Sequence, residues 1–180
     1  MIGLNIFFWF MVILFAVIGS MRGWAKELLV SFSVILAIFV ITVLEQFAPF
    51  VGNLIAGEST TAQFWLRIVI ITALVFFGYQ GPNITKLAAT NKFNREKFQD
   101  ALLGFFLGGI NGYLIFGTFL SFLSAANYAP LGNIIIHPSL IPEGQAVMDL
   151  IDFLPPAWLI SPRIYFAVAV AFAFVLVVFL

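Results

Sequence analysis

The sequence predicts an all-α fold: a polytopic transmembrane helix bundle of about five spans, with a short outer amphipathic helix. Three observations predict it. Hydrophobic residues make up 63% of the chain and charged residues 9%, against roughly 45–50% and 25% in soluble domains. The apolar residues come in runs near the length of about 20 that crosses roughly 30 Å of hydrocarbon. All eight prolines lie between those runs, where the loss of a helix hydrogen bond does no harm.

The first run covers residues 2–19, with Asn5 its one strongly polar side chain. No Lys or Arg precedes it and no small-x-small cleavage motif follows, so it is expected to be an uncleaved helix. The others are residues 28–44, 64–79, 101–126 and 164–180. Gly81-Pro82 is the expected stop of the third helix. Ser161-Pro162 is the expected start of the fifth, a serine cap followed by proline at the first helical position. The organisation is then a four-helix region (1–126), an outer loop (127–161) and a fifth transmembrane helix (162–180).

Within the outer loop, residues 142–154 carry Val147, Leu150, Ile151 and Leu154 at helical spacing, with Glu143, Asp149 and Asp152 on the polar side. Two placements suit such a helix equally: on the outer membrane surface, or packed over the mouth of the bundle. His137, in a proline-flanked part of the same loop, is expected to face solvent.

Orientation follows from basic residues, which favour the cytoplasmic side. The turn after the first span, SMRGWAKE, holds Arg22 and Lys26, and the loop after the third holds Lys86, Lys92, Arg95 and Lys97. The other connections are acidic. The N-terminus is therefore expected outside and the C-terminus cytoplasmic. Trp24 on the inner side, and Trp65, Trp158 and Tyr165 on the outer, fit aromatic belts.

The fourth span is unusually rich in glycine. Gly104, Gly108 and Gly112 fall at i, i+4, i+8 and form a small-residue stripe beside Gly109 and Asn111. Such a stripe lets a second helix approach closely. Its partner is expected either within the chain or on another subunit, including an identical one; a polar path or lipid groove is the functional alternative. Asn111 is expected to make a cross-helix hydrogen bond. Asp100 and Glu27 stand at inner helix starts, where the helix dipole favours an acid; Arg22 and Lys26 are within sequence reach of Asp100. Arg67 is an intramembrane charge one turn inside the third span, with Glu45 or Glu58 as partner.

Chemistry is hard to find. The chain has no cysteine and a single histidine, His137, which excludes thiolate sites, His-cluster metal sites and a histidine-ligated haem or chlorophyll inside a span. Zero net charge gives no reason to expect a nucleic-acid partner. No nucleophile–base pairing or phosphate loop stands out, so no catalytic residue, no metal and no cofactor beyond a structural lipid is expected.

The order of features resembles the colicin V production protein (CvpA) family of bacterial inner-membrane proteins. The matching pieces are RGWAKELL (Arg22 to Leu29) between the first two spans and FQDALLGFFLGGINGYLIFG (Phe98 to Gly117) in the fourth. The family pattern is an Arg-Gly…Glu-Leu turn and a later Leu-Asp-x-x-x-Gly-x-x-x-Gly segment; Gln99 here replaces the leucine. The resemblance covers roughly the first 125 residues and carries over Arg22, Gly23, Glu27, Asp100, Gly104 and Gly108, implying helix organisation more than catalysis. It also implies a bacterial inner membrane and an association with colicin V production or export.

Two functions suit these features. One is a non-enzymatic accessory or assembly subunit of a larger secretion, respiratory or photosynthetic membrane complex, binding the bilayer and other subunits. The other is a small oligomeric channel or transporter with Asp100, Asn111 and Arg67 along its path.

Overall fold

The structure, a computed structural model, describes residues 3–47, 60–80 and 94–179. Four long helices form its body: α1 (Leu4–Arg22), α2 (Trp24–Phe47), α3 (Thr60–Tyr79) and α4 (Asn94–Ala125). Each is long and apolar enough to cross a membrane. After α4 come three short 3-10 turns, then α5 (Gln145–Ile151), α6 (Pro155–Trp158) and α7 (Arg163–Phe179). The described residues contain no strand.

The α1–α2 connection is shorter than the sequence suggests. SMRGWAKE is helical except at Gly23, whose φ of 85° and ψ of 155° separate the two helices. That backbone region is essentially restricted to glycine. The expected stop at Gly81-Pro82 lies outside the described residues, as do Lys86, Lys92 and Glu58.

α1 and α4 are antiparallel neighbours in intimate contact. Gly19 faces Gly104 and Gly108, Phe15 faces Gly108 and Gly112, and the Phe7 ring meets Phe116 further along. α2 packs against α3, α4 and α7. Two apolar clusters result. Phe8, Ile41, Phe64, Leu120 and Leu123 form one with Val147 and Leu154. Val30, Val34, Ile38, Ile71 and Leu114 form the other with Leu159 and Ile164.

Burial of Val147 and Leu154 decides between the two placements of the amphipathic segment: it packs over the bundle. The segment is also broken. Pro142–Gly144 is a 3-10 turn, α5 has 7 residues, and Pro155 restarts the chain as α6. His137 is half-buried, its ring edge-on to Tyr128 with centroids 4.9 Å apart, so it does not simply face solvent.

The last span also departs from expectation. Ser161-Pro162 is a cis peptide and α7 starts at Arg163. With 17 residues, α7 is about 25 Å long. It meets the requirements of a span only together with residues 145–158, from which it is bent by 66°. Phe39 stacks edge-on against Tyr165 and Phe32 lies beside Phe172, so α7 runs antiparallel along α2.

Candidate functional site: a buried charge cluster at the Gly23 turn

Gly23 ends α1 by donating its N–H to Gly19 O at 3.0 Å. One residue later, α2 begins with backbone N–H groups that have no partner inside the helix. Asp100, from α4, supplies one: its Oδ1 accepts from Trp24 N at 3.1 Å. This carboxylate caps a helix other than its own, where the dipole also favours negative charge. The structure thus gives Asp100 a backbone N–H as its partner. Gly23 is needed here twice over, since a Cβ on it would meet Asp100 Oδ2 at 2.7 Å.

One turn into α2, Glu27 is 1% exposed. Burying a carboxylate is costly unless its charge and lone pairs are satisfied. Oε1 receives Arg22 Nη1 at 2.5 Å, and Oε2 receives Asn111 Nδ2 at 2.8 Å. The same Asn111 nitrogen donates to the Glu27 carbonyl at 2.8 Å. Ser31 Oγ lies 2.6 Å from Asn111 Oδ1 and 3.2 Å from Glu27 O. The single hydroxyl proton goes to the nearer amide oxygen, which fixes the orientation of the Asn111 amide.

Arg22 extends the cluster to a third element. Its Nη2 donates to Tyr79 O at 3.2 Å, and its Cζ sits 4.2 Å from the Tyr79 ring centroid. The planar guanidinium thereby stacks and forks at once, which an ammonium cannot do. The ends of α1, α2 and α3 and the middle of α4 therefore meet at one polar point. The Tyr79 hydroxyl is buried beside it, with no hydrogen-bond partner among the described residues.

The glycine stripe lies along the same seam. A Cβ on Gly104 would stand 2.4 Å from Gly19 O, and one on Gly108 would stand 2.3 Å from Phe15 O. On Gly112 it would meet Val12 Cα at 2.9 Å. Gly109 is different: among the described residues its Cβ would touch only Ala16 Cβ, at 3.5 Å, an ordinary contact.

Arg67 is remote from this cluster. At the opposite end of the bundle its Nε donates to Glu45 Oε1 at 2.8 Å, and its guanidinium lies 5.4 Å from the Phe122 ring centroid. Asp100, Asn111 and Arg67 thus have separate partners. A groove of about 210 Å³ between α3 and α4 is apolar, lined by Ile68, Ile71, Val75, Phe76 and Phe119 among others.

A family model described as Colicin V production protein matches residues 4–143. The chain belongs to this family. The match runs past Ser124, beyond the stretch in which the sequence motifs are recognisable, through the turns that follow α4. It includes the Gly23 turn, Glu27, Asp100, Asn111 and the glycine seam. Searches among curated proteins and solved structures gave no match.

Ser31, Tyr79 and Gly19 were not singled out by sequence reasoning. A weak signal existed for two of them. Ser31 lies four residues after Glu27 on the same helical face, and Gly19 follows Ala16 as a small residue on an otherwise bulky helix.

Proposed function

We propose that this member of the colicin V production protein family is a non-enzymatic accessory or assembly subunit, working through association within a larger membrane complex. One observation carries the reading: Glu27, Asn111 and Arg22, the charged and amide groups at the Gly23 end of the bundle, are engaged in holding helices to one another. Both Glu27 carboxylate oxygens, both ends of the Asn111 amide and two Arg22 nitrogens are occupied by protein groups. Such a network favours a fixed helix arrangement over turnover.

What the bundle offers outward is apolar. Phe10 and Ile13 on α1, and Leu103 and Phe106 on α4, are exposed on either side of the glycine seam. With that seam filled by α1, contacts with other subunits fall to these outer faces. On this reading the Gly23 turn, with Arg22 and Lys26, lies on the cytoplasmic side of a bacterial inner membrane, and the Leu4 end on the opposite side, as the basic residues favour.

Gentle extraction of the intact chain from its native membrane, followed by native sizing and identification of co-purifying proteins, tests this. A defined assembly larger than one chain is expected. A monomer that retains its cellular activity without partners would overturn the reading. Solute flux through reconstituted protein, abolished by Asp100→Asn, would favour the channel instead.

A further inference from the structure

We propose that residues 153–160 form a re-entrant hairpin embedded in the membrane leaflet at the Leu4 end, with Phe153 and Ile160 against lipid acyl chains. Depth is the first argument. From the Asp100–Trp24 contact, α1 rises about 28 Å to Leu4, close to the full hydrocarbon thickness. Phe64, next to Trp65, stacks on Phe119 with centroids 5.7 Å apart. Leu4, Trp65 and Phe119 therefore mark one boundary, and Trp65 is a residue type that favours it.

The hairpin lies below that boundary. Tyr113 is about 9 Å of helix rise beneath Phe119. Its hydroxyl donates to the Phe153 carbonyl and accepts from Trp158 Nε1 at 3.3 Å. Pro155 abuts Gly117, where a Cβ would come within 2.8 Å of the proline ring. Leu159 is buried with Leu114 in the second apolar cluster. The acidic residues precede the descent. Asp149 is held by Gln145 at 2.8 Å and Asp152 is exposed, so the water-facing rim ends where the chain turns inward.

Backbone chemistry is the second, independent argument. In hydrocarbon, peptide groups must find partners within the protein. Phe153 N and Leu154 N donate to Leu150 O and Ile151 O at 3.0 and 3.1 Å. Pro155 and Pro156 have no N–H to satisfy. Ala157 N and Leu159 N donate to Leu154 O and Pro155 O at 2.9 and 2.8 Å. Yet Phe153 is 70% exposed and Ile160 53%. A segment with these four N–H groups paired inside the protein, two prolines that carry none, and exposed apolar side chains, sited beneath the boundary, is suited to meet lipid.

The cysteine-free sequence allows a direct test. Single-cysteine variants Phe153→Cys and Ile160→Cys carry a nitroxide in lipid vesicles, with Val69→Cys on the exposed face of α3 as lipid reference and Asn133→Cys as aqueous reference. All four positions are exposed, so each variant is expected to unfold at the wild-type temperature. Collision with oxygen should exceed collision with a nickel chelate several-fold at 153 and 160, as at 69. Nickel-chelate accessibility at either position equal to that at 133 overturns the proposal.

Discussion

Gly108 Cα occupies the space that a side chain on Gly19 would need, 2.7 Å from where that Cβ would stand. The two backbones touch, and no rotamer change can make room. Overpacking of this kind costs about 1–3 kcal/mol.

Gly108→Ala should therefore lower stability by about 2 kcal/mol. Gly109→Ala, which meets only Ala16, should be neutral or stabilising by up to about 1 kcal/mol through helix propensity. Thermal or denaturant unfolding of the purified protein in one detergent compares them. Equal losses at both positions would show that α4 does not use the two glycines differently.

Removing the Glu27 side chain leaves Arg22 and Asn111 without their shared acceptor. Glu27→Ala should cost about 3–5 kcal/mol, the usual consequence of breaking a buried ion pair from one side. A double-mutant cycle with Asn111→Ala should show a coupling of about 0.5–3 kcal/mol. Strict additivity would mean that the pair is not formed.

Asp100 acts on α2 as an acceptor, so the amide should partly replace the acid. Asp100→Ala should lose about 1 kcal/mol, in the range of a lost N-cap, and Asp100→Asn clearly less. Hydrogen exchange at the Trp24 amide reports the contact directly, and should speed up in the alanine variant first.

Gly23→Ala adds a Cβ both in a glycine-only backbone region and against Asp100. The backbone strain alone should cost about 1–3 kcal/mol. In the Asp100→Ala background the contact with Asp100 disappears while the strain persists, so the loss should shrink without vanishing. Unfolding of the four proteins measures it.

Much of the fold was legible because membrane spans obey a one-dimensional rule of length, apolarity and proline punctuation. The glycine stripe of α4 was legible for the same reason, being a period along one helix. Its partner was not: α1 answers with one glycine and the bare backbone of Phe15, and backbone approach leaves little trace in residue type. The Glu27–Asn111 contact joins positions 84 apart, and no local pattern carries that distance. The amphipathic segment was half legible. Its periodicity gave the buried face of Val147 and Leu154, but lipid and protein interior are equally apolar, so only the structure distinguishes them. Pro155 and Pro156 read as loop punctuation, whereas they start a helical turn against Gly117.

The single-residue link at Gly23 has a consequence for biogenesis. The first two helices leave the ribosome as a tight pair, Arg22 and Glu27 together, while 84 residues remain to be added after Glu27 before Asn111 is in place. At about 5–20 residues per second that interval is roughly 4–17 s. Through it the carboxylate lacks its amide partner and the groove at Gly19 stands open. The nascent hairpin must be sheltered, by the insertion machinery or by the membrane interface, until the fourth helix arrives to close it.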